Sequence, residues 1–171
     1  AVLAQDYPPD RLEILIADGM STDGTREIVA GLAARYPQLP IRILDNPSKI
    51  VPTALNVALR YARGDIIIIV GGHCEIALDY VSHCVQHLLE EDVDGVGGPM
   101  ETIGETFLAR SIAIAMSSPF GVGGAAFRTI DNRAMLVDTV AFPAYTRQAI
   151  EKAGLFDEEL VRNQDDEYNF R

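Results

Sequence analysis

The stretch Ile14-Leu15-Ile16-Ala17-Asp18-Gly19-Met20-Ser21-Thr22-Asp23-Gly24-Thr25 decides how this chain is read. An apolar run ends in an acid, passes through a glycine and a polar turn, and opens a helix. That is a strand feeding a ligand-facing loop, and in open α/β sheets ligands bind beyond the carboxyl ends of the strands. Asp18 stands at that edge, where a carboxylate can read a hydroxyl or a ring N–H. Thr22 or Asp23 also suits the cap of the helix that follows. That structural duty accounts for Asp23 and leaves Asp18 unexplained.

Outward from this stretch, strand and helix alternate. Residues 13–18 read as a strand and 23–35 as a helix, with Ile28, Val29 and Leu32 on one face and Tyr36-Pro37 closing it. A short strand over 41–44 precedes a helix over 52–62, where an initial proline is tolerated because its missing N–H would be unpaired anyway. Residues 65–70 form a nearly continuous β-branched run, the pattern of a strand buried on both faces. Further helices are expected over 78–89, 107–116 and 146–153, and strands over 93–96 and 136–142. The Gly-rich stretch 117–127 reads as an irregular loop. Alternation of this kind implies an α/β fold with a mostly parallel sheet flanked by helices. No repeat, low-complexity tract or linker divides the chain, so a single domain over 1–171 is expected.

Composition narrows the function classes. The 171 residues are 48 % hydrophobic and 23 % charged, ordinary for a globular domain. Net charge is −11, with 14 basic against 25 acidic residues and no basic stripe, which argues against a nucleic-acid partner. Acidic patches also repel an anionic membrane surface. Cys74 and Cys84 are too few for a disulfide framework or a four-cysteine zinc site and read as reduced thiols. No signal peptide and no apolar run near 20 residues is visible, so the cytoplasmic side is the expected location. The chain does not begin with Met and stops inside an apparent helix, which reads as an excerpt of a longer protein.

Four groupings could carry chemistry. Asp18 and its polar turn are the first. The second is Val70-Gly71-Gly72-His73-Cys74-Glu75 at the end of the buried strand. Its glycines allow close backbone approach to a ligand, and His73 and Glu75 could each offer a metal-ligand atom; a tight turn with a hydrogen-bonded His is the structural alternative. The third is Arg162-Asn163-Gln164-Asp165-Asp166-Glu167. Acids in a first helical turn are favoured by the helix dipole, and Asn163 can cap; alternatively one of them is a general base. The fourth, Phe120-Gly121-Val122-Gly123-Gly124-Ala125, is neither a Walker loop nor a dinucleotide fingerprint. It reads as a mobile loop over an acceptor site or a plain connection.

Taken in order, these pieces resemble family 2 glycosyltransferases of the GT-A fold, most of all the succinoglycan type that builds bacterial exopolysaccharide. The segment 17–25 is similar to the family's nucleotide-binding form Val-Asp-Asp-Gly-Ser-Thr-Asp-Gly-Thr. The resemblance also runs through Gln5-Asp6-Tyr7-Pro8, Asn46-Pro47, Ala54-Leu55-Asn56, Gly64-Asp65, Gly97-Gly98-Pro99-Met100, 117–123, Val137-Asp138-Thr139-Val140, 154–158 and 162–167. It implies an inverting hexosyl transfer from a nucleotide-sugar donor, commonly linked to uridine diphosphate, to a growing, lipid-linked saccharide. Asp18, Gly19, Ser21 and Asp23, with Gly71 and Gly72, would hold the nucleotide. A divalent metal, Mn or Mg, would sit on the diphosphate at the strand end, with His73 and Glu75 as its ligands. The family's Glu-Asp pair reads Gln164-Asp165, which makes Asp165 the catalytic base and Asp166 its fallback.

Two departures stand out. Gly71 replaces the leading acid of the metal motif, and Gln164 replaces the Glu before the base. The resemblance also implies a first strand ahead of Ala1, and an acceptor motif and any membrane-associating regions beyond Arg171. Membrane association would then come from regions outside this fragment, at the inner face of the plasma membrane. The departures keep open a degenerate sugar-nucleotide-binding or scaffolding module without turnover, and the first strand, not in view, keeps open a nucleotidyltransferase of similar build.

Overall fold

β1 (Ile14–Asp18) and β2 (Ile41–Asp45) lie side by side in parallel, joined by α1 (Thr25–Arg35). The computed structural model that shows this describes residues 1–123, 126–129 and 134–171. The register sets Ile14 against Ile41 and brings the two strand-ending acids, Asp18 and Asp45, to the same edge. α2 (Val51–Tyr61) follows and packs on β1.

A second sheet holds β3 (Ile66–Ile68), β4 (Gly95–Gly98) and β5 (Ala141–Thr146), in the order β3-β5-β4. Both of its ladders are antiparallel, so among the described residues parallel pairing is confined to β1 and β2. The α/β alternation expected from the sequence holds; the pairing differs because the late strand β5 inserts between two earlier ones. α3 (Tyr80–Glu90) links β3 to β4, and α4 (Phe107–Met116) and α5 (Pro119–Val122) precede β5. α6 (Arg147–Ala153) and α7 (Gln164–Phe170) complete the order.

Several boundaries move, for identifiable reasons. The late strand falls at 141–146 rather than 136–142: Leu136 is 89 % exposed, whereas Ala144 is fully buried against β3 and β4. Pro143 reads as a strand terminator because it has no N–H. Here it sits where β4 slips register between Val96 and Gly98, and a bulge of this kind leaves a position outside the ladder. β4 is displaced toward its glycines because they let it approach β5. A Cβ on Gly97 would lie 2.6 Å from the Ala141 carbonyl oxygen, and one on Gly95 2.8 Å from the Tyr145 ring. The long buried strand expected over 65–70 is a ladder only at 66–68, although Ile69 still donates to the Pro143 carbonyl at 2.9 Å.

The expected irregular loop over 117–127 contains α5, capped by Ser118 Oγ, and a 3-10 turn at Ala126–Arg128. Gly124 and Ala125 of that loop lie outside the described residues. Asn163 does not cap α7 with its side chain; it adopts left-handed φ 59° and passes the chain into the helix through its backbone.

Gln5 and Asp6 serve the start of α3. The Gln5 amide donates to the Ala77 carbonyl at 2.6 Å and accepts from Val81 N–H at 2.9 Å, while Asp6 accepts from Ser82 Oγ at 3.0 Å. Helix N-termini carry unpaired N–H groups, and a residue distant in sequence satisfies one of these.

The core has two clusters. Cys84, Leu88 and Ala144 form one, with Ile66, Ile68, Tyr80, Val93 and Val96 packed around it. Tyr145, Ile150, Phe156 and Tyr168 form the other, into which α2 sends Leu55 and Leu59 and β3 sends Ile67. α2 therefore touches both sheets. Both cysteines are free thiols, Cys84 buried and Cys74 half-buried.

Candidate donor and acceptor site

Asp18 ends β1 with a carboxyl group only 6 % exposed. Ser21 N–H donates to its Oδ2 at 3.0 Å, and the Arg26 guanidinium donates to the same oxygen at 2.8 Å. Arg26 comes from the first turn of α1 and spends its other terminal nitrogen on Asp45 Oδ1 at 2.7 Å. Parallel register thus puts two carboxylates together, and one arginine bridges them. Hydrogen bonding from Ser21 foremost, opposed by desolvation and reinforced by Arg26, holds the Asp18 carboxyl below its ordinary value of 3.8. No side-chain N or O atom among the described residues is both buried and unpaired. Asp18 therefore presents an ionised, oriented acceptor at the strand edge.

The rest of the 19–25 loop frames that acceptor. Gly19 faces Lys49: a Cβ built on it would lie 3.9 Å from the lysine stem. Met20 takes φ 63°, a left-handed backbone that suits glycine, at the position where the family form has one. Asp23 accepts from Thr25 N–H at 3.1 Å and from Thr25 Oγ1 at 2.7 Å, which ties the turn to the start of α1. The N-cap of α1 is Gly24, in a left-handed conformation, so neither Thr22 nor Asp23 takes the expected cap position.

Gly71, Gly72 and His73 share one turn, closed by Cys74 N–H donating to the Gly71 carbonyl at 3.1 Å, and Glu75 follows it. The His73 ring stands beside Gly71, so that a Cβ there would meet its Cε1 at 3.4 Å. His73 and Glu75 are both exposed. Among the described residues no group of three or more His, Cys, Asp or Glu could hold a metal ion. The expected ligand pair is present but does not form an assembled cation site. A hard divalent ion prefers six or more oxygen ligands, and one imidazole with one carboxylate supplies too few.

α7 carries the acid run. Asp165, Asp166 and Glu167 occupy its first turn. Asp165 lies one turn before Asn169, whose Oδ1 accepts from the Tyr145 hydroxyl at 2.7 Å. Burial pushes the Tyr145 hydroxyl up; the Tyr168 and Asp165 charges add to that shift. The Asp165 charge thus reaches the β5 side of the helix. Asp165 and Asp166 are both exposed. Among the described residues no hydrogen bond or ion pair joins Asp18, the 71–75 turn and Asp165 directly.

The connection runs through residues that carry no role in the sequence reading. Asn46, 3 % exposed, donates its backbone N–H to the Asp18 carbonyl at 2.8 Å. Its side chain donates to the Ile50 carbonyl at 3.0 Å and accepts from Thr53 Oγ1 at 2.8 Å, which fixes the start of α2. Asn56 on the same helix reaches the segment before α7. Arg26 and Asp45 were missed as well. The available signal was that both apolar runs, Ile-Leu-Ile-Ala-Asp and Ile-Arg-Ile-Leu-Asp, end in an acid, so that parallel pairing sets the two carboxylates side by side.

The family described as "Glycosyl transferase family 2" matches residues 1–154. Succinoglycan biosynthesis protein ExoA of Rhizobium meliloti (strain 1021) is 33 % identical, over 99 % of this chain and 51 % of its own length. Dolichyl N-acetyl-alpha-D-glucosaminyl phosphate 3-beta-D-2,3-diacetamido-2,3-dideoxy-beta-D-glucuronosyltransferase of Methanococcus voltae is 31 % identical, over 96 % of this chain and 53 % of its own. The chain spans about half the length of these relatives. Two solved structures share the fold. S. aureus TarS 1-349 in complex with UDP has a TM-score of 0.72 at 20 % identity, covering 98 % of this chain and 47 % of that one. Mannosyltransferase PcManGT from Pyrobaculum calidifontis, in complex with GDP-Man and Mn2+, has a TM-score of 0.68 at 23 % identity, covering 98 % and 44 %. The alternating elements, the strand-edge acids and these matches agree: the chain belongs to glycosyl transferase family 2, on the GT-A fold.

Proposed function

We propose that this chain forms the donor-binding and base-carrying part of an inverting glycosyltransferase that moves a sugar from a uridine diphosphate-linked donor to a growing, lipid-linked saccharide. The observation that carries the reading is Asp18, ionised and braced by Arg26 and Ser21 at the strand edge. Such an acceptor suits the imide N–H of uracil. Gly19, Ser21, Gly71 and Gly72 line the backbone path for the rest of the nucleotide. In the transfer, an acceptor hydroxyl oxygen bonds to the anomeric carbon as the bond from that carbon to the diphosphate oxygen breaks. The proton passes to Asp165, with Asp166 as fallback, and the nucleoside diphosphate leaves. His73 and Glu75 are the residues nearest to a cation role, and a bound divalent ion would offset charge on the leaving diphosphate. The present donors do not complete such a site, and the transfer is derived without it.

The lipid-linked acceptor is supported by α4. Phe107, Leu108, Ile112 and Ile114 are each more than half exposed, and Ala113 is the helix's one buried residue. Residues 106–130 contain Arg110 and Arg128 and no acid, in a chain of net charge −11. An exposed apolar patch of this kind marks an interaction surface. No helix among the described residues is long and apolar enough to cross a membrane. Work at the inner face of the plasma membrane is part of the proposal.

The test is calorimetric titration of UDP into the full-length protein, with and without Mn2+, followed by UDP release from UDP-sugars. Asp165→Asn should keep UDP binding and lose transfer by roughly a hundredfold or more, the span of general acid–base catalysis. Normal transfer by that variant would remove Asp165 from the role. Gly71 and Gln164 favour a second reading, a sugar-nucleotide-binding module without turnover, which UDP binding without any UDP release would select.

A further inference from the structure

Asn56 is 1 % exposed and lies in the middle of α2. Its Oδ1 accepts from Phe156 N–H at 2.8 Å, and its Nδ2 donates to the Phe156 carbonyl at 2.9 Å. A side-chain amide thus pairs with a peptide group as a neighbouring strand would. Nδ2 also donates to Glu158 Oε1 at 2.9 Å. Three of the side chain's hydrogen-bonding positions are committed to a segment about a hundred residues away.

That segment sets α7. The Phe156 ring stacks on Tyr168 with centroids 3.9 Å apart and planes 13° from parallel. The Tyr168 hydroxyl donates to the Gly154 carbonyl at 3.1 Å. Tyr168 lies one turn after Asp165. Near the other end of α2, Thr53 is bonded to Asn46, whose backbone holds the Asp18 strand end at 2.8 Å. One helix is therefore fastened to the candidate nucleotide reader at one side and to the candidate base at the other. An apolar residue of similar volume would fill the same space, but only a paired amide fixes both the translation and the rotation of residues 154–158.

We infer that Asn56 is a positioning residue for sugar transfer: through Phe156 and Tyr168 it sets where Asp165 stands relative to Asp18. The inference rests on the reading of this chain as a glycosyltransferase with Asp165 as base. Displacing a catalytic group by about 1 Å can lower a rate by roughly a hundredfold without touching ground-state binding.

The test uses full-length protein, UDP titration, and UDP release from UDP-glucose with lipid-linked saccharides extracted from source membranes. Asn56→Asp removes the donor to Phe156 and sets two carboxylates against each other at Glu158. Its kcat should fall about tenfold or more, with UDP affinity within about twofold of wild type. Adding Glu158→Gln returns an N–H to the 56–158 contact and should restore part of the loss, the Phe156 carbonyl remaining without its donor. A wild-type kcat in Asn56→Asp, or kcat and UDP affinity falling together with no rescue, overturns the role. If Asn56→Asp does not melt cooperatively, Phe156→Leu takes its place. That variant keeps the main-chain bonds and loses the ring stack; the same split is expected, and a wild-type kcat there overturns the role. A wild-type protein that transfers no sugar overturns the functional reading instead. Amide exchange then decides on Asn56 alone: Asn56→Asp should speed exchange across α7 and leave β1 unchanged, and unchanged exchange in α7 overturns the coupling.

Discussion

Arg26 and Ser21 both donate to the same oxygen, Oδ2, of Asp18. A strand-edge carboxylate is thereby fixed in rotation as well as in charge, which is what a reader of a nucleobase edge requires. Arg26→Leu removes the brace and leaves Asp18 and Asp45 facing each other unscreened. UDP affinity should fall about tenfold, as loss of a charge-assisted hydrogen bond predicts. Arg26→Lys should recover part of it, because a single ammonium cannot span both acids as the fork does. Calorimetry on the three proteins checks the order.

Acid should act on the same group late. The folded-state pKa of Asp18 is depressed, so its contribution to stability is fully present above 3.8 and is lost as pH falls below that value through the folded one. UDP affinity should therefore be flat from pH 8 to about pH 5 as far as Asp18 is concerned. Asp18→Asn removes that acid limb; a titration of thermal stability from pH 6 to 2.5 on both proteins reads it.

Gly71→Asp restores the acid at the head of the strand-end motif. The Cβ would meet His73 at 3.4 Å, ordinary contact against a movable ring, so the variant should fold normally. With an added carboxylate beside His73 and Glu75, Mn2+ affinity in the presence of UDP should rise about tenfold or more. Mn2+ electron paramagnetic resonance titration measures this; an unchanged affinity would remove the turn from metal binding.

Met20→Gly should stabilise the chain slightly. A non-glycine residue in the left-handed region is strained by ~1–2 kcal/mol, and the extra freedom of an unfolded glycine offsets roughly 0.5–1 kcal/mol of the gain. Urea unfolding should show a net increase of about 0.5 kcal/mol.

Much of the fold was legible because its signals are local. The apolar run into Asp18, the proline at the start of α2 and the helical spacing of Val29 and Leu32 in α1 each announce an element within a few residues. β5 was misplaced because its position depends on β3 and β4, far away in sequence, and because Pro143 argues locally against a strand. The site shows the same division. Asp18 and Asp165 stand out by place and type, and Asp45 becomes visible only once the register is known. Asn56 looks like an ordinary helical polar residue until Phe156 arrives opposite it. His73 and Glu75 stand close along the chain, but closeness in sequence does not gather enough oxygen atoms for a cation.

Gln5 holds the first turn of α3 with a carbonyl and an amide drawn from the opening residues of the chain. Its contacts span more than seventy positions, and loop closure must precede the reward of such contacts. α3 and the turn at 71–74 ahead of it should accordingly consolidate late in folding, after the short-range Asn46 contacts at the start of α2. Pulse-labelled amide exchange should find Val81 protected after Leu44, so the turn that carries His73 takes its final shape among the last.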